Sequence, residues 1–166
     1  MKSPLLYVED TKRLAALYRT QLLDSEPEER FDAITRMAKQ YFDVAISTIT
    51  LVDKDRQWFK SKDGLDDDET DLSVSFCAHA IAEDDYLYVP DARQDERFAE
   101  TGNVVAGPLI RFYAGAVIRS SCGQPLGTLC VIDPNPRALT QQDFNMLLEF
   151  AHMVNTEIKV SEQQGV

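Results

Sequence analysis

Cysteine is scarce and odd in number: Cys77, Cys122 and Cys130 are the three in 166 residues. An odd count at irregular spacing excludes the disulfide framework of small secreted domains. With no Cys-x-x-Cys pair and two histidines, the chain also lacks the ligand spacing of a zinc site. No hydrophobic run approaches the ~18 residues of a membrane span. The opening Leu5-Leu6-Tyr7-Val8-Glu9-Asp10 is a short apolar stretch broken by two acids, unlike a secretory leader. Basic residues are outnumbered, 17 against 28 acidic, for a net charge of −11. Without a Lys/Arg stripe to override that charge, nucleic acid and anionic membranes are poor partners. Seven Gly and seven Pro are too few for a linker-rich or fibrous chain. What remains, 44% hydrophobic and 9% aromatic residues, is the composition of an ordinary globular domain. A chain of this size buries about 70% of its unfolded surface without metal or disulfide. It reads as one cytoplasmic domain over residues 1–166, with reduced thiols.

Apolar spacing predicts helices over Thr11 to Leu23 and from Phe31 to Tyr41. Ala45 to Val52 is rich in β-branched residues and predicts a strand. After the polar turn Asp53-Lys54-Asp55-Arg56, Gln57 to Lys62 alternates and predicts the partner of a hairpin. Asp63 to Asp71 carries six acids and Gly64 and reads as a solvated loop. Ser75 caps a short helix from Phe76 to Glu83. Tyr86 to Val89 is a short strand, and Asp91 to Pro108 is irregular, with one helical turn near Asp95 to Phe98. Phe112 to Arg119 and Leu126 to Asp133 form a second hairpin, with Gly123 free to take positive φ in its turn. Thr140 caps a long last helix with apolar residues at Phe144, Leu147, Ala151, Val154 and Ile158. Hairpins imply antiparallel pairing, so the fold class is α+β rather than a doubly wound parallel sheet.

The acidic pair Glu9-Asp10, with Asp53 after a strand, invites comparison with a response-regulator receiver. That chemistry needs a later Lys to neutralise the phosphoryl group, and none lies between Lys62 and Lys159. The hairpins also replace the alternating strands and helices that a receiver requires.

Six segments, in order, carry a more specific likeness. They are Phe31-Asp32-Ala33-Ile34-Thr35; Leu51 to Lys60; Ser75-Phe76-Cys77-Ala78-His79-Ala80-Ile81; Asp95-Glu96-Arg97-Phe98; Ile110 to Ala116; and Leu126 to Asp133. Together they resemble the GAF domain family of small-molecule sensors, in the branch found ahead of bacterial diguanylate cyclases and histidine kinases. The likeness spans roughly residues 10 to 160. It implies a twisted antiparallel sheet of five or six strands with the terminal helices on one face. A short helix and loops, here Ser75 to Pro108, would cover a pocket on the other face.

Within that frame the expected ligand-binding residues are Phe76, Cys77, His79, Asp91, Phe98, Arg111, Phe112 and Tyr113. Cys77 falls in the first turn of a helix, where the dipole favours a thiolate; two positions on, His79 points about 200° away around the helix. Arg111 has the fork that holds a carboxylate or phosphate, while Arg97 is expected to pair locally with Asp91 or Asp95. The aromatics, Trp58 included, suit either a flat ligand or a core. Ala114-Gly115-Ala116 is small, so something packs closely on that strand. No catalytic residue, metal ligand or cofactor is assigned.

The expected function is a sensory module that binds a small molecule and signals through its terminal helices. Two alternatives stand beside it: a ligand-free dimerisation element, and an enzyme resembling the free methionine-(R)-sulfoxide reductases. Those reductases use paired cysteines in the covering loops and the neighbouring strand. Here Cys77 alone lies in the cover, with Cys122 in a distal turn and Cys130 mid-strand. The family's cyclic-nucleotide pattern, Asn-Lys and then Phe with Asp-Glu after three spacers, is missing. So is a bilin-bearing cysteine between residues 98 and 112. The 3, 4, 3, 4 spacing of the last helix is that of a coiled-coil seam and predicts a homodimer through the terminal helices, with packing of the stripe on the chain's own sheet as the alternative.

Overall fold

The computed structural model describes residues 8–72, 76–100 and 109–164. Helix α1 (Thr11–Arg19) opens on Asp10, whose carboxylate accepts the Arg13 N–H at 3.0 Å. Helix α2 (Glu29–Phe42) closes on Asp43, which takes the left-handed conformation at φ 52°. Strands β1 (Ile46–Val52) and β2 (Arg56–Asp63) form the first hairpin, followed by β3 (Glu69–Asp71). Then come the short helix α3 (Phe76–Ala80), β4 (Tyr86–Val89) and a 3₁₀ turn over Ala92–Gln94. Strands β5 (Phe112–Arg119) and β6 (Pro125–Asp133) make the second hairpin, turning through Gly123 at φ 87°. The last helix, α4 (Gln141–Gln164), starts on a reciprocal cap: the Asp143 N–H donates to Thr140 Oγ1, and the Thr140 N–H to Asp143 Oδ2.

The strands form one antiparallel sheet in the order β3-β2-β1-β6-β5-β4, so the fold is α+β. Successive side chains on a strand point to opposite faces, and the sequence uses the two faces differently. Ile49, Leu51, Trp58, Phe112, Ala114, Ala116, Ile118, Leu129 and Val131 face α1, α2 and α4 and form the larger core. The apolar positions of α4, Leu147, Ala151, Val154 and Ile158, are buried in that same core. The Leu, Val and Ile side chains among them contribute about 1.5–3 kcal/mol each when fully buried. The seam expected for a partner copy is therefore turned onto the chain's own sheet, and Leu148 and Val160 remain exposed.

The opposite face carries a smaller core under α3, including Phe76, Cys77, Ile81, Phe98, Tyr113 and Cys130. Arg13 links the layers. It is buried, and Nη2 donates to the carbonyls of Val8 at 2.9 Å and Val52 at 2.7 Å. Burial pushes its guanidinium down to about 10, against the attraction of Asp53, Tyr18 and Asp10.

Two local expectations need correction. The acidic loop is not wholly loop, because Glu69–Asp71 pairs with Arg56–Trp58 as an edge strand. Helix α3 ends at Ala80 and tightens into i→i−3 turns, with Ala82 N–H bonded to His79 O and Glu83 N–H to Ala80 O. Of the two roles left open for Trp58, it takes the core one and faces the helix layer. The helical turn near Phe98 is present, with Ala99 N–H donating to Asp95 O at 2.8 Å. Ser75, expected as the cap of α3, and residues 101–108 of the expected cover lie outside the described residues.

Candidate functional site

Between the sheet and α3 lies a cavity of about 100 Å³. Its floor is made by pocket-facing residues of adjacent strands: Thr48 and Thr50 from β1, Phe59 from β2, Tyr113 from β5 and Cys130 from β6. The register explains their meeting, since Thr48 pairs with Cys130 and Thr50 with Thr128, while Tyr113 and Cys130 lie diagonally across β5 and β6. Phe76 and Cys77 close it from α3. Asp67 is the one charged side chain among the described lining residues.

The polar atoms of this floor satisfy one another rather than facing bare hydrocarbon. Cys77 Sγ lies 3.0 Å from Thr128 Oγ1 and 3.2 Å from Tyr113 Oη. Cys130 Sγ lies 2.9 Å from Thr48 Oγ1, which is 2.6 Å from Thr50 Oγ1. The hydrogen bond from Cys130 leads in holding the Cys77 thiol below its ordinary range. Burial opposes it, and Thr128, Tyr113 and Thr50 add further donors. The Cys130 thiol moves the other way, pushed well up by that same hydrogen bond and by burial. Burial and the neighbouring thiols also push the Tyr113 phenol up, so it stays a donor.

The tight strand has a local cause. A Cβ on Gly115 would stand 2.2 Å from Tyr113 Oη and 2.7 Å from its Cζ. The residue that packs on Gly115 is thus Tyr113 itself, whose ring lies along its own strand and carries the hydroxyl to Cys77, while Ala114 and Ala116 face the helix layer.

Of the eight expected residues, Phe76, Cys77 and Tyr113 border the cavity. Phe98 stands behind Phe76, stacked at 4.1 Å between centroids, and His79 meets Phe98 edge-on at 4.9 Å. Asp91 instead caps the 3₁₀ turn and pairs with Arg93 at 2.8 Å. Arg111 is half-buried where the chain enters β5, its Nη1 3.4 Å from Ile110 O, and its charge acts on Asp91. Neither is among the residues lining the cavity. Phe112 is placed differently from the expectation. Neighbours on a strand cannot share a face, and with Tyr113 over the cavity Phe112 packs in the helix-side core against Tyr88. Arg97 forms the expected local pair with Asp95.

The sequence reading left out Thr48, Thr50, Thr128 and Cys130. Cys130 is mid-strand, as expected, and the middle of β6 is the cavity floor. The available signal was alternation: in Thr48-Ile49-Thr50-Leu51 and Thr128-Leu129-Cys130-Val131 the small polar residues share one face and the apolar residues the other.

A larger hollow of about 520 Å³ runs along the sheet edge between Asp24–Pro27 and β2. Its buried amine is fully engaged: Lys60 Nζ reaches Ser25 Oγ at 2.7 Å, Glu26 O at 2.6 Å and Glu28 Oε2 at 2.7 Å. Among the described residues no cluster of three or more His, Cys, Asp and Glu is arranged as metal ligands. No helix among them is long and apolar enough to cross a membrane. Asp53, the would-be phosphoacceptor, is held by Tyr18, the Lys54 N–H and Arg56 in an antiparallel hairpin, which ends the receiver comparison.

A profile of the GAF domain family matches residues 26–158. A cyclic di-GMP phosphodiesterase of Pseudomonas aeruginosa is 39% identical over 159 residues, 95% of this chain and 27% of that protein. The chain thus spans about a quarter of that relative's length. Among solved structures, the GAF domain of a phosphoenolpyruvate-protein phosphotransferase from Coxiella burnetii superposes with a TM-score of 0.69 at 11% identity, over 92% of this chain and 96% of that one. The free methionine-R-sulfoxide reductase of Neisseria meningitidis, in complex with its substrate, superposes at 0.65 and 18% identity, over 100% of this chain and 95% of that one. At such identities these structures bear on the fold alone.

Proposed function

Because the chain belongs to the GAF domain family, we propose that it is the sensory module of a longer signalling protein, binding a small ligand over the Thr/Cys floor. The observation that carries this reading is the two-faced sheet. Tyr113 and Cys130 touch the cavity while their chain neighbours Phe112, Leu129 and Val131 touch the terminal helices. A ligand that shifts β5 or β6 therefore shifts the packing under α4. Likeness to a cyclic di-GMP phosphodiesterase that is mostly other sequence supports an output of the same kind: control of cyclic di-GMP turnover by a domain outside this chain. The dinucleotide itself is a poor match for this cavity. It is large and anionic, whereas the space is about 100 Å³ and the charged residue at its lining is acidic. A compact, uncharged molecule with one or two hydrogen-bonding groups fits the floor better.

Methyl NMR tests the reading directly. Titrating neutral fragments should shift the methyls of Ile46, Ile110 and Ile132 at the cavity and, with the same midpoint, those of Leu147 and Val154 beneath α4. Shifts confined to surface methyls, or cavity shifts with no response at α4, would reject it.

A further inference from the structure

The two cysteines at the floor come from opposite sides of the cavity, one from α3 in the cover and one from the sheet. Thr128 and Cys130 are successive residues on the pocket-facing side of β6; Cys77 Sγ lies 3.0 Å from Thr128 Oγ1 and lines the same cavity as Cys130. Both thiols are free, both line the cavity, and both are nearly inaccessible from outside it. We propose that Cys77 and Cys130 form a peroxide-responsive thiol pair, in which Cys77 is the attacking sulfur, Cys130 resolves it, and the resulting disulfide ties the cover helix to the sheet.

The geometry assigns the roles. Two hydroxyls stand within hydrogen-bond distance of Cys77 Sγ: Thr128 Oγ1 at 3.0 Å and Tyr113 Oη at 3.2 Å. Such a shell stabilises a thiolate, and the thiolate is the nucleophile. The Cys130 thiol, pushed well up by its neighbour Cys77 and by burial, keeps its proton until its turn comes. The co-substrate class is a hydroperoxide small enough for the space. Cys77 sulfur attacks the outer oxygen, the O–O bond breaks, and the leaving alkoxide or hydroxide takes up a proton; Tyr113 Oη and Thr128 Oγ1 can hydrogen-bond it as it departs. Cys77 is then a sulfenic acid. Cys130 sulfur attacks Cys77 sulfur, the S–OH bond breaks, and the hydroxide leaves as water with the Cys130 proton. In sum, two thiols and one hydroperoxide give one disulfide, one alcohol or water, and one further water. Each sulfur has lost one electron and the peroxide bond has gained two.

Such a bond closes the loop from α3 to β6 and fixes the cover on the cavity. This deepens the sensory reading and rests on it for its consequence, though the chemistry can be tested alone. The full chain carrying Cys122→Ser, which removes the exposed thiol, is treated with hydrogen peroxide. Expected is a loss of about 2 Da in intact mass, reversed by dithiothreitol, with Cys77 and Cys130 in one non-reduced peptide pair. Cys130→Ser should stop at the Cys77 sulfenic acid, trapped by dimedone. Cys77→Ser should slow oxidation of Cys130 by about tenfold or more, since the buried Cys130 thiol keeps its proton. Circular dichroism confirms that both near-isosteric variants fold. Cys77 and Cys130 both still reduced when methionines have begun to oxidise, or Cys130 reacting as fast without Cys77, would overturn the proposal. Disulfide formation needs no ligand, and the fragment titration of the reduced protein needs no oxidant, so either reading can fail without the other.

Discussion

Tyr113 reaches Cys77 only because Gly115 has no side chain. Replacing that glycine with alanine puts a Cβ 2.2 Å from Tyr113 Oη and 2.7 Å from Cζ, so the ring must leave its strand and swing into the cavity. Gly115→Ala should therefore cost about 1–3 kcal/mol in urea unfolding, the usual range for overpacking a core. It should also remove the donor at Cys77. Tyr113→Phe isolates that second effect: it deletes the hydroxyl but keeps the ring. Its stability loss should be smaller, about 0.5–1.5 kcal/mol, and alkylation of Cys77 at neutral pH should slow because the thiolate has lost a donor. An alkylation rate unchanged in Tyr113→Phe would show that the phenol does not tune the thiol. The residue scale also marks where the sequence was readable. Phe76, Cys77 and Tyr113 stood out as an aromatic, a nucleophile and an aromatic in recognisable segments. Thr48, Thr50, Thr128 and Cys130 did not, because small polar residues in a β-branched strand look like strand propensity until the register sets them side by side.

At the scale of elements, regular alternation and helical spacing located the helices and both hairpins, while tertiary pairing decided the remainder. Strand β3 is an example: Glu69-Thr70-Asp71 has little strand propensity and exists through its pairing with β2, where Gln57 also donates to Thr70 Oγ1. Phe112 is another, since an apolar strand buried on both faces gives no hint of which face any one residue takes. The turn between β1 and β2 shows how elements are tied by charge. Asp53 accepts from Tyr18 Oη on α1 at 2.7 Å, from the Lys54 N–H at 2.8 Å and from Arg56 Nε at 3.3 Å. Burial pushes its carboxyl up, but those hydrogen bonds outweigh it and hold the group below the usual range. A group depressed in the folded state stabilises the fold above its unfolded value, about 3.9, and that stability drains away as pH falls through the folded value. Acid titration of unfolding free energy should show this loss at and below about pH 4. Asp53→Asn should be less stable at neutral pH and should fall less steeply in acid. Parallel acid profiles for the two proteins would place the acid sensitivity elsewhere.

At the scale of the whole molecule, one sheet serves two cores, and the last helix belongs to the larger. The 3, 4, 3, 4 spacing in α4 suits a coiled-coil seam and a sheet-covering face equally well, because both ask for a single apolar stripe. The fold resolves that ambiguity: Leu147, Val154 and Ile158 are fully buried within one chain. Their outward counterparts Leu148 and Val160 stand a dozen positions apart, about 120° around the helix, and so form no continuous stripe. Charge introduced at Val154 would have to enter a core with no partner for it. Val154→Glu should then cost on the order of 4 kcal/mol or more, a large part of the ~5–15 kcal/mol by which a domain is stable. Leu148→Glu, already at the surface, should stay within about 0.5 kcal/mol of the parent. Chemical denaturation and sedimentation, run on the same samples, decide the point. A Val154→Glu protein that keeps its unfolding midpoint and loses only sedimentation mass would put the seam between two copies. One that loses its cooperative transition would keep the seam on the sheet, where a movement of β5 or β6 under a ligand must be felt first.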